Sequence, residues 1–384
     1  MLNERIKPIV MPKWGLSMSE GKLTGWLKRP GASVALGDEL LEVETDKITN
    51  VVEAGDSGIL RRVLGEPGTV YPVKALIAVL AEPDVPDSEI DAFIDAYAAP
   101  AAGGAEEEAE AAPRYLFAET PAGTLRYAKR DGARGEEGPA VLLLHGFGGD
   151  LDNWLFTIDA LAESATVYAL DLPGHGQSAK TLADPTLAGL SKAVLGFMDA
   201  AGIDRAHLVG HSMGGAVSMR TALDAPERVA SLSLIASAGL GSAIDHGYIQ
   251  GFTAANSRRD LKPVLETLFA DQSLVGRKLV DDLLKYKRLD GVDAALRALS
   301  AALFADGAQA EILADAVAAT GLPTLVVWGE QDRVIPAAHA TALGGGARSV
   351  VIPNAGHMVQ MEAAGKVNAL LKEHIGTPAT RTTT

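Results

Sequence analysis

Residues 1–81 alternate short apolar runs with breaks marked by glycine and proline. The runs fall at 7–11, 21–27, 40–45, 48–53, 58–64 and 75–81, and the breaks at Pro30-Gly31, Gly37-Asp38, Gly55-Asp56 and Pro67-Gly68. Runs this short, bounded by turn residues, read as strands, and so many in so short a stretch predict a small all-β sandwich or flattened barrel. Further along, Ile90, Phe93, Ile94 and Tyr97 recur at i, i+3, i+4 and i+7. That is the spacing of one short amphipathic helix, read here as a transient one within a tether. Residues 98–113 offer almost nothing to bury and read as disordered. From Arg114 the pattern changes. Runs at 141–144, 166–170, 207–209, 231–235, 324–328 and 349–352 are β-branched or leucine-rich, as strands covered on both faces are. Helical stretches separate them, which predicts an α/β domain with a doubly wound, mostly parallel sheet. Between 237 and 321 the strand signal stops, and helical patterns at 261–269, 277–289 and 294–304 follow one another, as an inserted cap would. The chain therefore divides into an all-β domain over 1–81, a linker over 82–113, an α/β domain over 114–376 with its cap at 238–322, and a disordered tail over 377–384.

Charge sharpens the linker. The net charge is −15, but the stretch 82–113 holds ten acids and no Lys or Arg, leaving −5 for the rest. Mildly acidic folded parts argue against nucleic-acid binding. There is no cysteine, hence no disulfide framework, thiol nucleophile or thiolate metal site. No apolar run is long enough to span a bilayer and no N-terminal secretion signal is visible, so a cytoplasmic protein away from membranes is expected.

The candidate chemistry lies at strand ends in the larger domain. Gly210-His211-Ser212-Met213-Gly214-Gly215 follows the strand at 207–209 and opens a helix. This is the G-x-S-x-G nucleophile elbow, in which small residues let the backbone turn sharply under the serine. Asp332 follows the strand at 324–328 and His357 follows the last strand, the order serine, acid, histidine of a triad. Asp332 would orient the ring of His357, which would take the Ser212 proton; Glu330 is the rival acid. His145-Gly146-Phe147-Gly148-Gly149 follows the strand at 141–144, where Phe147 would donate one oxyanion-hole N–H and Met213 the other. The loop 171–178 at the same edge reads as structural. These motifs resemble the α/β-hydrolase superfamily from about Arg114 to Ile375, and a serine nucleophile sets the chain apart from the branches that use aspartate.

Glu44-Thr45-Asp46-Lys47-Ile48 sits between two apolar runs as a hairpin tip. With Met11-Pro12-Lys13, Glu20-Gly21, Gly31-Ala32-Ser33-Val34, Gly37-Asp38 and Gly55 to Gly58 around it, residues 1–81 resemble a lipoyl domain. The resemblance makes Lys47 the lipoylated lysine. The Met-Lys-Met tip of a biotinyl domain is absent.

In this two-domain form the chain resembles the dihydrolipoyl acetyltransferases of acetoin dehydrogenase complexes. The resemblance implies lipoate on Lys47, an acetyl group as cargo and coenzyme A as acceptor. It also implies a thiamine-diphosphate-dependent acetoin dehydrogenase and a dihydrolipoyl dehydrogenase as partners, with a lipoate ligase or transferase to load the arm. A homo-oligomer stays open. The chain departs from most 2-oxo-acid acyltransferases: none of its Asp-Gly pairs, at Asp131, Asp290 and Asp306, has a histidine four residues before the aspartate. A typical peripheral-subunit-binding domain is also missing, with only the segment from Ile90 to Tyr97 to stand in. Two other readings keep the same residues: a tethered thioesterase or esterase that uses water, and a lipoyl carrier whose second domain serves assembly alone. Coenzyme A phosphates would need a basic site on an acidic protein. Arg258 with Arg259, and Lys287 with Arg288, are the candidates, weighed against the plainer reading of charges on solvated helices.

Overall fold

The computed structural model describes residues 5–14, 18–45, 49–97, 114–132 and 138–376. The chain forms two compact units, Met1–Ala112 and Pro113–Thr384.

The first unit carries β1 (Ile6–Val10), β2 (Glu20–Trp26), β3 (Ser33–Val34), β4 (Glu39–Glu44), β5 (Thr49–Glu53), β6 (Gly58–Val63), β7 (Val70–Pro72) and β8 (Leu76–Ala81). They make two four-stranded sheets, β1-β8-β6-β3 and β5-β4-β2-β7. Met11, Leu23, Leu41, Val43, Leu60 and Ile77 fill the core. Gly21 is needed there because a Cβ would stand 2.8 Å from Met11, Met18 and Val43 atoms. The sandwich agrees with the pattern of the runs. The two shortest strands, β3 and β7, carry too few residues for alternation to reveal them.

The helix at Asp87–Ala96 corrects the boundary at 81. Its apolar face is not transient: Ile90 and Phe93 are buried against Ile6, Val79 and Ala81, the outward side of β1 and β8. Charge fastens it too. Arg61 bonds Asp87 at 2.6 Å, Arg62 bonds Asp91 at 3.0 Å and Arg5 bonds Glu82 at 2.7 Å. Tyr97 Oη donates to the Lys74 carbonyl at 3.2 Å. Four of the acids assigned to a linker, at 82, 84, 87 and 91, thus belong to the carrier unit. The apolar stripe that could have stood in for a partner-binding domain is occupied within its own unit. The tether expected at 98–113 and the tail at 377–384 lie outside the described residues.

The second unit is built on an eight-stranded sheet. Its strands are β9 (Arg114–Thr120), β10 (Gly123–Arg130), β11 (Ala140–Leu144), β12 (Thr166–Leu170), β13 (Ala206–His211), β14 (Val229–Ile235), β15 (Thr324–Gly329) and β16 (Arg348–Ile352). The order is β16-β15-β14-β13-β11-β12-β10-β9. Six strands are parallel, and β9 and β10 add an antiparallel hairpin that the apolar runs did not single out. Helices Leu187–Ala200 and Met213–Asp224 are among those covering the sheet. The cap runs between β14 and β15 through helices His246–Ala254, Arg258–Glu266, Arg277–Lys287, Val292–Leu303 and Ala314–Ala318. The first of these went unread because Gly247 and Gly251 look like loop residues. Gly251 is there for packing: a Cβ would come within 2.8 Å of Val264 on the next helix. That next helix starts at Arg258 rather than 261 because the Ser257 hydroxyl caps it.

Candidate active site

Parallel strands that end at one edge bring their following loops together. β11, β13, β15 and β16 do so here. Ser212 stands between β13 and helix Met213–Asp224 with φ 53° and ψ −119°, a conformation most side chains avoid. The turn closes because Gly210 and Gly214 lack side chains. A Cβ on Gly210 would collide with the Gly214 carbonyl, and one on Gly214 with the Leu144 carbonyl. Ser212 N–H donates to Ile235 at 3.0 Å, and its carbonyl accepts from Gly215 at 2.9 Å and from Ala238 at 3.0 Å.

His357 Nδ1 donates to Asp332 Oδ2 at 2.8 Å, with the side chains 2% and 0% exposed. The other carboxylate oxygen accepts from the Val334 and Ile335 N–H groups at 2.8 and 2.9 Å. With Nδ1–H bonded to Asp332, Nε2 of His357 is left as the proton acceptor. Glu330, the rival, is exposed and meets the sheet through its backbone N–H.

His211 carries a role that the sequence did not reveal. Its Nε2 donates to the His357 carbonyl at 3.0 Å, with the two rings 4.8 Å apart. Burial, and then His357, push its imidazole well below the usual range, so it stays neutral. The residue before the serine therefore positions the histidine loop; only its place in the motif hinted at importance. Glu362 braces the same loop, accepting from Gly356 N–H at 2.8 Å and Ala270 N–H at 2.7 Å.

The 145–149 loop lies against the elbow, since a Cβ on Gly146 would sit 3.1 Å from Ser212 Cβ. Two buried histidines shape it. His145 donates from Nδ1 to the Gly146 carbonyl at 2.8 Å and accepts at Nε2 from Leu172 N–H at 3.0 Å. His175 accepts at Nε2 from Gly148 N–H at 3.1 Å. Burial keeps both imidazoles neutral. The 171–178 loop is held by buried Asp171, which accepts from Leu151 and Gln177 N–H groups and from Arg126.

The four basic candidates do not form a free patch. Arg258 is engaged by Asp281, at 2.6 Å for one of two bonds. Lys287 is half-buried and donates to the Phe252 and Thr253 carbonyls. Arg259 is 96% exposed with Asp260 3.8 Å away, and Arg288 is exposed. In the first unit, Glu44 pairs with Thr49 across β4 and β5. Lys47 lies outside the described residues.

The two folds define a lipoyl-type β domain joined to a domain of the α/β-hydrolase fold. The family models agree: an alpha/beta hydrolase fold matches residues 139–364, and the biotin-requiring enzyme model matches 7–80. A dihydrolipoyllysine-residue acetyltransferase component of an acetoin cleaving system from Cupriavidus necator is 54% identical, over 98% of this chain and 99% of that one. The component of the same description from Pseudomonas putida is 50% identical, over 96% and 100%. The chain belongs to this family. Among solved structures, a meta-cleavage product hydrolase from Pseudomonas fluorescens matches with TM-score 0.61 and 26% identity, over 67% of this chain and 96% of that one. No described helix is long and apolar enough to cross a membrane.

Proposed function

We propose that the chain moves an acetyl group from a lipoyl arm on Lys47 to coenzyme A, as the acetyltransferase component of an acetoin-cleaving multienzyme system. The observation that carries this reading is the presence on one chain of a lipoyl-type domain and of a strained serine elbow after β13, with a hydrogen-bonded histidine and aspartate on loops that follow β16 and β15. Near-complete alignment with two acetyltransferase components supports it. Lipoate held on Lys47 would, in its reduced form, supply a dithiol able to carry the acyl group as a thioester. Ser212 Oγ bonds to the acyl carbon as its proton passes to His357 Nε2. The carbon–sulfur bond breaks, and His357 returns the proton to the departing sulfur. Met213, first in its helix and so without an intrahelical acceptor, and Phe147 donate their N–H groups to the oxyanion. In the second half His357 takes the proton of the coenzyme A thiol, the thiolate takes the acyl group, and the proton returns to Ser212. Of the basic candidates, Arg259 and Arg288 would meet phosphates, with Arg258 and Lys287 holding the helices that carry them. The partners on this reading are a thiamine-diphosphate-dependent acetoin dehydrogenase and a dihydrolipoyl dehydrogenase.

The test is the product. Acetyl-dihydrolipoamide and coenzyme A incubated with the lipoylated protein should yield acetyl-coenzyme A; free acetate as the main product would make it a hydrolase. No turnover at all would leave a carrier and assembly protein.

A further inference from the structure

The cap closes on the loop that carries Phe147. Phe252, in helix His246–Ala254, lies so close to Gly148 that a Cβ there would collide with the ring. Phe147 meets Phe252 with ring centres 6.0 Å apart and Phe304 with centres 5.7 Å apart, both edge-on. The three rings are buried. Phe304 also lines a small pocket whose wall includes Met213, Ala216, Ala238 and Gly239. That wall belongs to the elbow: Met213 follows Ser212, and Ala238 N–H donates to the Ser212 carbonyl at 3.0 Å. Gln309 closes one side with both ends of its amide used, on Gly239 N–H at 2.6 Å and the Ala243 carbonyl at 2.9 Å. Behind Phe252 sits Lys287, bonded to the Phe252 and Thr253 carbonyls and 4.8 Å from the ring centre. Its ammonium is committed to holding that ring.

We infer that this pocket is the acyl subsite, and that Phe304, packed through Phe147 against Phe252, which Lys287 pins, restricts it to acetyl and propionyl groups. The inference rests on the acyl-transfer reading above. Apart from the Gln309 amide, bonded at both ends, and Glu311, which pairs with Arg220 at 3.5 Å, the pocket is walled by apolar side chains and glycine, so it suits an alkyl group. Each further methylene must displace a ring already packed edge-on against its neighbours, and close-packed interiors resist added volume. A long acyl chain would have to part the cap from the oxyanion loop.

The full-length lipoylated protein and its variants Phe304→Ala, Phe304→Leu and Lys287→Met would be given S-acetyl-, S-butyryl- and S-hexanoyl-dihydrolipoamide with coenzyme A. Acyl-coenzyme A and free acid would both be measured. In wild type, kcat/KM should fall by about 100-fold from acetyl to hexanoyl. Phe304→Ala should raise the hexanoyl-to-acetyl ratio by about tenfold, and Lys287→Met should move it the same way by a smaller factor. Melting temperature and labelling of Ser212 by a fluorophosphonate report whether each variant is folded. If Phe304→Ala is not, Phe304→Leu decides. A wild type that takes hexanoyl as readily as acetyl, or a ratio unmoved in folded variants, overturns the inference. Free acid from every donor would instead overturn the transferase reading, while the chain-length ratio still reports the pocket.

Discussion

On the proposed mechanism Ser212, His357 and Asp332 share one proton path, and their loss should not multiply. Ser212→Ala and His357→Ala should each lower acyl transfer by about a thousandfold, and the double variant should be scarcely worse than either. Steady-state rates check this, and losses that multiply in full would assign the two residues to separate steps. His211→Ala removes the donor to the His357 carbonyl. A small displacement of the base should cost about 100-fold in kcat with KM little changed. His211→Gln, which restores an N–H donor, should recover part of the loss; no recovery would mean that the ring acts by bulk alone. Lys47→Arg keeps the charge and removes the primary amine that forms the amide. Its intact mass should lack the lipoyl increment, and an increment equal to wild type would place the arm elsewhere. The pairing of His357 with Asp332 was legible because each follows a recognisable strand. His211, Glu362 and the histidines of the oxyanion loop were not, since their partners are backbone atoms that only the fold brings near.

At the scale of elements, the helix Asp87–Ala96 shows what periodicity can and cannot say. The i, i+3, i+4, i+7 spacing identified the stripe but named no surface to receive it. The receiving side chains, Ile6, Val79 and Ala81, lie on β1 and β8, and strand alternation says which residues share a face without saying that a further layer covers it. Ile90→Ala in the full-length protein should weaken this layer by about 3 kcal/mol. Amide hydrogen exchange read by mass spectrometry should then quicken in β1 and β8. Exchange unchanged there would mean that the helix contributes nothing to the carrier. The cap tells a similar story through helix His246–Ala254, where glycines that suggest a loop are the price of close helix packing.

For the molecule as a whole, buried imidazoles tie stability to pH. Burial depresses His145, His175, His207 and His211, with His207 brought down to about 4. A depressed imidazole is neutral when folded and takes a proton sooner when unfolded. The unfolded chain therefore binds more protons between the ordinary histidine value, about 6.5, and the folded one. Stability is whole above that window and falls as pH drops through it, by roughly 3 kcal/mol for His207 alone once pH has passed below its folded value. Glu362, whose carboxyl burial raises, acts in the opposite direction. Urea midpoints at about pH 7.5 and about pH 5 should show the decline. His207→Gln should make it shallower, and an undiminished decline in that variant would remove His207 from the account.

The two architectures, the elbow with its serine and the histidine after the last strand were all written locally. They depend on runs, breaks and short motifs whose meaning needs only a few neighbouring residues. Asp332 was preferred over Glu330 in the sequence, but which of the two carboxylates meets the His357 ring was decided by the approach of β15 and β16. The commitment of Arg258 to Asp281 and of Lys287 to two carbonyls was likewise decided across helices that are far apart in sequence. Local pattern specifies which groups a segment presents. Which of them remains available to a substrate depends on what the tertiary structure has already paired.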